Sequence, residues 1–306
     1  MRQPNHIFRN PHPGIAVVLF VATAGITAAF NFWVQGLETL RSWSFWYTPV
    51  LVGLSAWLIN VLLVFRSRYL KTNYLLGWFW FCLLLATHPA GIGLTEVSTS
   101  VGFAIWLAMA YELNDDRKVG LVSRSNLGLY SAFLGVLQPA WWSLVVVAVI
   151  ALRAGQLRQP THHYLQIVAG WVIGFGLVAT WHAYLGDLAA FWSDFIYAWR
   201  QAFTWEWPHP GQWVVGFWLL LALFETLRAL SFAKKAKRRG LLIGWIGILW
   251  AWILNPWLGD DAMSGAILAV FAAPHMVNLQ AYFKRPWITR MLDVSMLAAA
   301  LGAALL

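Results

Sequence analysis

Charge is what this sequence has least of. Only 11% of its 306 residues are Asp, Glu, Lys or Arg, against roughly 25% in soluble domains. A water-facing globular surface is therefore excluded as its main design. Cysteine is nearly absent: Cys82 stands alone. That excludes an intramolecular disulfide and a thiolate metal cluster. Between Phe81 and Leu83, Cys82 reads as a small buried apolar residue. The compact signatures of chemistry are missing too, with no P-loop, HExxH, CxxC, Ser-His-Asp spacing or arginine-rich voltage helix. The first apolar run, after MRQPNHIFRNPHPG, ends without a signal-peptide cleavage pattern and reads as a retained span.

What is present is apolar and rich in tryptophan. Hydrophobic residues make up 60% of the chain, mean hydropathy is +0.62, and Trp occurs 22 times. Indoles favour the headgroup boundary, where both ring and N–H are accommodated. Several short spans, with many boundaries, account for most of them.

Hydropathy places spans over Gly14–Trp33, Tyr47–Phe65, Tyr74–Thr87 and Val101–Leu113, and later over Tyr164–Tyr184, Gln212–Ala229, Leu241–Leu258 and Ala262–Tyr282, with a last one running to Leu306. Leu127–Leu152 is different. It is apolar throughout but only about 26 residues long, too short for two spans of ~20. Arg117, Lys118 and Arg124 precede it, Arg153 and Arg158 follow, and Gln138-Pro139 sits at its centre. Proline blocks helix continuation. A re-entrant hairpin of two half-helices fits this pattern, and two short tilted spans are the rival.

Trp181–Trp213 is too polar to span and too aromatic for a solvent loop. Leu185, Leu188, Phe191, Trp192, Phe195, Trp199 and Phe203 recur at helical spacing, with Asp187, Ser193, Asp194, Arg200 and Gln201 on the other side. This predicts an amphipathic helix in the plane of a membrane interface, ending in the rigid turn WEWPHP.

Topology follows from charge. With the N-terminus inside, alternation leaves only Arg41 and Arg200 of the 21 Lys and Arg clearly outside. The net charge of +9 is absorbed by this rule, leaving little reason to expect nucleic acid as a partner. KKAKRR, which could touch anionic lipid, serves as a stop signal. The expected fold is an all-α polytopic bundle, one membrane domain over 1–306. It has about nine full spans plus a re-entrant or short-helix hairpin and an outer-face amphipathic helix.

Lys71-Thr72-Asn73-Tyr74 precedes a short span ending near His88-Pro89. Asn126 with Gly128, then Gln138-Pro139, then Ala151-Leu152-Arg153 complete a pattern over about half the chain. This pattern resembles a family of bacterial polytopic membrane proteins of unknown function. The resemblance implies an inner-membrane location and brings no catalytic residues. A fainter likeness is to membrane glycosyltransferases that use polyprenyl-phosphate sugars, which are similar in having an amphipathic first outer loop with a carboxylate. Glu38, in GLETL, is the one candidate. The chain departs from that pattern in lacking an acidic pair there, in being shorter than most of those enzymes, and in lacking a soluble domain.

Several groups are candidates for chemistry. Glu38 at the outer interface suits a base or a cation ligand, or else pairs with Arg41. Asp187, Glu206 and His209, with His182 and Asp194 nearby, form the least bland cluster; folded together they could hold a metal or phosphate-linked cation. Otherwise they rim an interfacial helix. Asp260-Asp261 is a paired carboxylate suited to a divalent metal, or equally to capping the next helix. His88 and Glu96 flank a Gly-rich loop. His162 and His163 are adjacent and point about 100° apart on a helix, so they would not chelate one metal. His275 lies inside a span and lines a cavity or packs structurally. Asn60, Glu112 and Glu225 are placed near span ends, and Asp293 beside Arg290. No cofactor is indicated.

Two functions stay open at this level: an envelope-assembly enzyme using a polyprenyl-linked donor at the outer leaflet, with Glu38 as base, and a non-catalytic subunit or scaffold that docks lipid or partner membrane proteins through the Trp-rich helix. A small-molecule transporter is third.

Overall fold

The computed structural model describes residues 12–36, 42–66, 73–88, 91–113, 121–155, 161–200, 210–232, 235–258, 261–282 and 286–303. These residues form helices and short connections, and no strand occurs among them. In chain order the helices are α1 (Pro13–Gln35), α2 (Trp43–Asn60), α3 (Leu75–Thr87), α4 (Leu94–Glu112), α5 (Leu121–Leu137), α6 (Leu144–Gly155), α7 (Thr161–Leu185), α8 (Leu188–Arg200), α9 (Pro210–Phe232), α10 (Lys235–Leu258), α11 (Asp261–Tyr282) and α12 (Pro286–Ala303). A π-helical turn, Val61–Arg66, extends α2.

Among the described residues four segments are long and apolar enough to cross a membrane: Pro13–Gln35, Trp43–Val64, Thr161–Leu185 and Trp213–Ser231. Their surfaces show why they need lipid. On α9, Trp213, Phe217, Leu220, Phe224 and Leu227 recur every three to four residues, and each is more than half exposed. On α7, Leu165, Val172, Ile173 and Leu177 point outward in the same way. Continuous apolar faces of this kind are not left to water. The chain is a helical membrane protein.

The chain divides into two compact units: residues 1–105, 207–233 and 261–306 form the first, and residues 106–206 with 234–260 form the second. The first is built around α3. Every α3 residue but Trp78 is buried, and α1, α2, α9, α11 and α12 all pack on it. Close approach needs glycine on both sides. Gly77 lies against the Ala56 carbonyl of α2, and a Cβ on Gly265 would stand 2.7 Å from the Thr87 side chain. At 13 residues, α3 rises about 20 Å, short of a hydrocarbon core of ~30 Å. The segment Tyr74–Thr87, expected as a span, is thus an enclosed helix whose uniform apolarity reflects burial in protein.

Amide side chains fix the start of α3. Asn60 Nδ2–H donates to the Asn73 carbonyl (2.7 Å), and Asn60 Oδ1 accepts from the Gly77 amide (3.2 Å). Asn73 Oδ1 accepts from the Leu75 amide (3.2 Å). Helix starts leave such amides without intrahelical partners. Asn60, expected near an interface, is a fully buried clamp. Beyond α3, Asn31 of α1 bonds both the amide and the carbonyl of Ile92 (3.1 and 3.2 Å), beside Gly91 with its φ of +106°.

The second unit holds the hairpin. Gln138, restricted by the proline that follows, is extended (φ −149°, ψ 115°), and Pro139–Ser143 forms a 3₁₀ turn between α5 and α6. The break falls where the sequence placed it, although α5 begins at Leu121, ahead of the expected Leu127. α5 packs most heavily on α7. Gly128 meets the Ile167 carbonyl, Gly170 meets the Ser125 carbonyl, and Gly174 faces Ala132. These pairs make α5 and α7 parallel neighbours in near backbone contact, as small residues four apart permit in membrane helices. Two indoles tie the unit further: Trp106 donates to Ser131 Oγ (2.9 Å) and Trp250 to Ser143 Oγ (2.8 Å).

Candidate functional site

The predicted amphipathic helix exists as α8, joined to α7 by a two-residue corner. Gly186, at φ +78°, donates its amide to the Ala183 carbonyl (3.2 Å), and the Asp187 amide donates to the His182 carbonyl (3.1 Å). This paired pattern closes a helix on a left-handed glycine. The Asp187 carbonyl then accepts from the Phe191 amide (3.0 Å) and starts α8. The side chains lock the same corner. His182 Nδ1 lies 2.9 Å from Asp187 Oδ1. A carboxylate only accepts, so the imidazole carries the proton there. The His182 ring also stacks on Phe191, centroids 4.6 Å apart at 20°.

Beneath the corner is an aromatic box. Trp142, in the 3₁₀ turn of the hairpin, lies 4.2 Å from Phe175, 4.7 Å from Phe195, 5.5 Å from Phe191 and 6.4 Å from Trp171, between ring centroids. The opposite side of Trp142 rests on Gly135, where a Cβ would coincide with the indole. The α8 stripe is therefore divided. Phe191 and Phe195 face protein, whereas Trp192, Ile196 and Tyr197 stay exposed, joined by Trp181 and Tyr184 of α7.

This geometry gives some candidates structural partners. Asp187 is 47% exposed and engaged with His182, an assignment to the turn. Asp187→Asn is expected to cost less than about 1 kcal/mol, the range of a solvent-exposed pair; thermal unfolding in nanodiscs reads it. Glu96 Oε2 accepts from the Gly93 amide (2.8 Å), a reach back to the residue before α4 that belongs to a capping box. His88 is buried, its Nδ1 2.7 Å from the Leu84 carbonyl and 2.9 Å from Thr87 Oγ1. His88 and Glu96 thus each have a structural partner beside the loop before α4. Asn278 donates to the Pro274 carbonyl (2.9 Å), next to buried His275. Asp293 accepts from Gln280 across α11 and α12 (3.3 and 3.4 Å).

Glu38, Glu206, His209 and Asp260 lie outside the described residues. Asp261 opens α11. Among the described residues no group of three or more His, Cys, Asp or Glu is placed to hold a metal. What sequence reasoning missed is Trp142. Its neighbour Pro139 was legible as a break, but no periodicity marks an indole in a 3₁₀ turn as the centre of a box. The Gly170–Gly174 and Gly128–Ala132 spacings were a legible signal for the α5–α7 contact.

No protein-family model, curated protein or solved structure matches the chain.

Proposed function

We propose that this protein is a non-catalytic membrane subunit or scaffold of the bacterial cell envelope, seated in the inner membrane with its N-terminus cytoplasmic, and that the α7–α8 corner is its outer platform for lipid headgroups. One observation carries the reading: the corner is braced from below by the Trp142 box while Trp181, Tyr184, Trp192, Ile196 and Tyr197 remain turned outward. Amphipathic rings at a rigid edge match the chemistry of the headgroup layer, apolar on one side and hydrogen-bonding on the other. Asp187 and His182, two of the three described members of the candidate cluster, are engaged with each other in holding the corner. The other expected spans, Tyr74–Thr87 excepted, belong to the same proposal.

Cys82 is buried, so a single added cysteine reports cleanly. A spin label on Tyr197→Cys in nanodiscs is expected to sit at headgroup depth. A label reporting bulk water removes the platform. Profiling of polyprenyl-linked lipids in a deletion strain addresses the enzyme. Wild-type levels are expected, and accumulation of such a lipid, reproduced by Glu38→Gln alone, would replace the scaffold with transfer chemistry.

A further inference from the structure

At the far end of α7 from the corner, the second unit gathers polar groups that the platform does not use. Because α5 and α7 run parallel, with Ser125 against Gly170 and Gly128 against Ile167, both helices begin at this end. Arg124, in the first turn of α5, falls level with Gln166. It is 9% exposed. Its Nε–H has no hydrogen-bond partner among the described residues, and the same is true of the Tyr164 hydroxyl and Gln166 Oε1. The side chain of a helical residue leans toward the helix N-terminus, which carries the guanidinium toward the start of α7. His163 stands in the first turn of α7, and its ring meets that of His162 edge to face at 4.2 Å.

An N–H buried without a partner, as the Nε–H of Arg124 is, is costly, and an anion that brings its own hydrogen-bond acceptors is one remedy. The surroundings are donors. Arginine presents a planar fork matched to phosphate oxygens, the Tyr164 hydroxyl can donate, and the starts of two helices favour negative charge. Gln166 Oε1 is an acceptor, which suits a hydroxyl beside the phosphate.

We propose that the shared starting end of α5 and α7 is a phosphate-binding site, with Arg124 as central ligand and Tyr164 and His163 as flanking donors. The phosphate belongs either to an anionic lipid headgroup or to a free phosphate. In the proposed topology this end is cytoplasmic, so the site is separate from the outer platform and does not depend on it.

The full chain is placed in nanodiscs of phosphatidylcholine, alone or with phosphatidylglycerol. Thermal midpoints and lipid retention are read as phosphatidylglycerol or inorganic phosphate is titrated. Phosphatidylglycerol is expected to raise the midpoint, with affinity roughly ten- to a hundredfold weaker in Arg124→Gln and weaker to a lesser degree in Tyr164→Phe. Inorganic phosphate acting equally well in pure phosphatidylcholine supports the same site and assigns it to free phosphate. Should Arg124→Gln fail to fold, Arg124→Lys and Tyr164→Phe decide, since the first keeps the charge but not the fork; both must bind more weakly. Unchanged affinity for both probes in these variants overturns the site. So does destabilisation by Asp115→Asn with Asp116→Asn equal to that of Arg124→Gln, with neither probe having an effect, because the counter-charge then comes from the chain itself.

Discussion

Gly170→Ala is expected to destabilise the protein by about 3 kcal/mol or more, at the upper end of overpacking penalties, whereas Gly176→Ala in the same helix is expected to be neutral or mildly stabilising. The contrast is in what the new methyl meets. At Gly170 it strikes the carbonyl of Ser125, and at Gly128 the mirror-image contact strikes the carbonyl of Ile167. Neither obstacle is a side chain that can swing aside, so α5 and α7 must separate along their contact. Separation lets go of the hairpin, and the hairpin carries Trp142, whose ring supports α8. At Gly176 nothing lies within 4 Å, and alanine only improves helix propensity, by up to about 1 kcal/mol. Thermal unfolding of the two variants in one detergent or nanodisc compares them directly. Equal midpoints would show that the helices are not in backbone contact.

Asn60→Ala is the second large effect, expected at roughly 2–6 kcal/mol from two buried backbone groups left unpaired at about 1–3 kcal/mol each. Asn60 is fully buried and serves both the Asn73 carbonyl and the Gly77 amide. The informative partner is Asn60→Asp. Aspartate retains the acceptor for Gly77 but offers no donor to Asn73, and it buries a charge. It is expected to be at least as damaging as alanine. A benign Asn60→Asp would mean that water enters the α3 start and that the clamp is dispensable. Amide exchange at Gly77 should accelerate in both variants.

These two positions show what one sequence can and cannot disclose. Long apolar runs announced α1, α2, α7 and α9, because lipid-facing helices must be apolar for their whole length. Pro139 announced the hairpin, because its ring forbids helical backbone at Gln138. The amphipathic period announced α8. What stayed hidden depends on pairing between distant segments. Asn60 looks like an ordinary residue near a span end until Asn73 and Gly77 are brought to it. α3 looks like a span because a helix surrounded by protein is as apolar as one surrounded by lipid, and only its length hints otherwise. The candidate cluster fared in the same way. His182 and Asp187 are five apart, close enough for a bond to be foreseen, yet the left-handed Gly186 that makes it a corner has no period.

The enclosure of α3 also has a consequence in time. When α3 leaves the ribosome, α1 and α2 are ready to receive it, but α9, α11 and α12 have yet to be synthesised. More than a hundred residues separate Thr87 from Pro210, a wait on the order of ten seconds at the usual pace of translation. For that interval a short apolar helix with polar clamps at its start stands half covered. It is neither long enough to settle among lipids nor sheltered by its eventual neighbours. A chain stopped before Asp261 would lack α11 and α12 and would leave α3 half covered indefinitely. Such a truncated product is a natural target for membrane proteolysis.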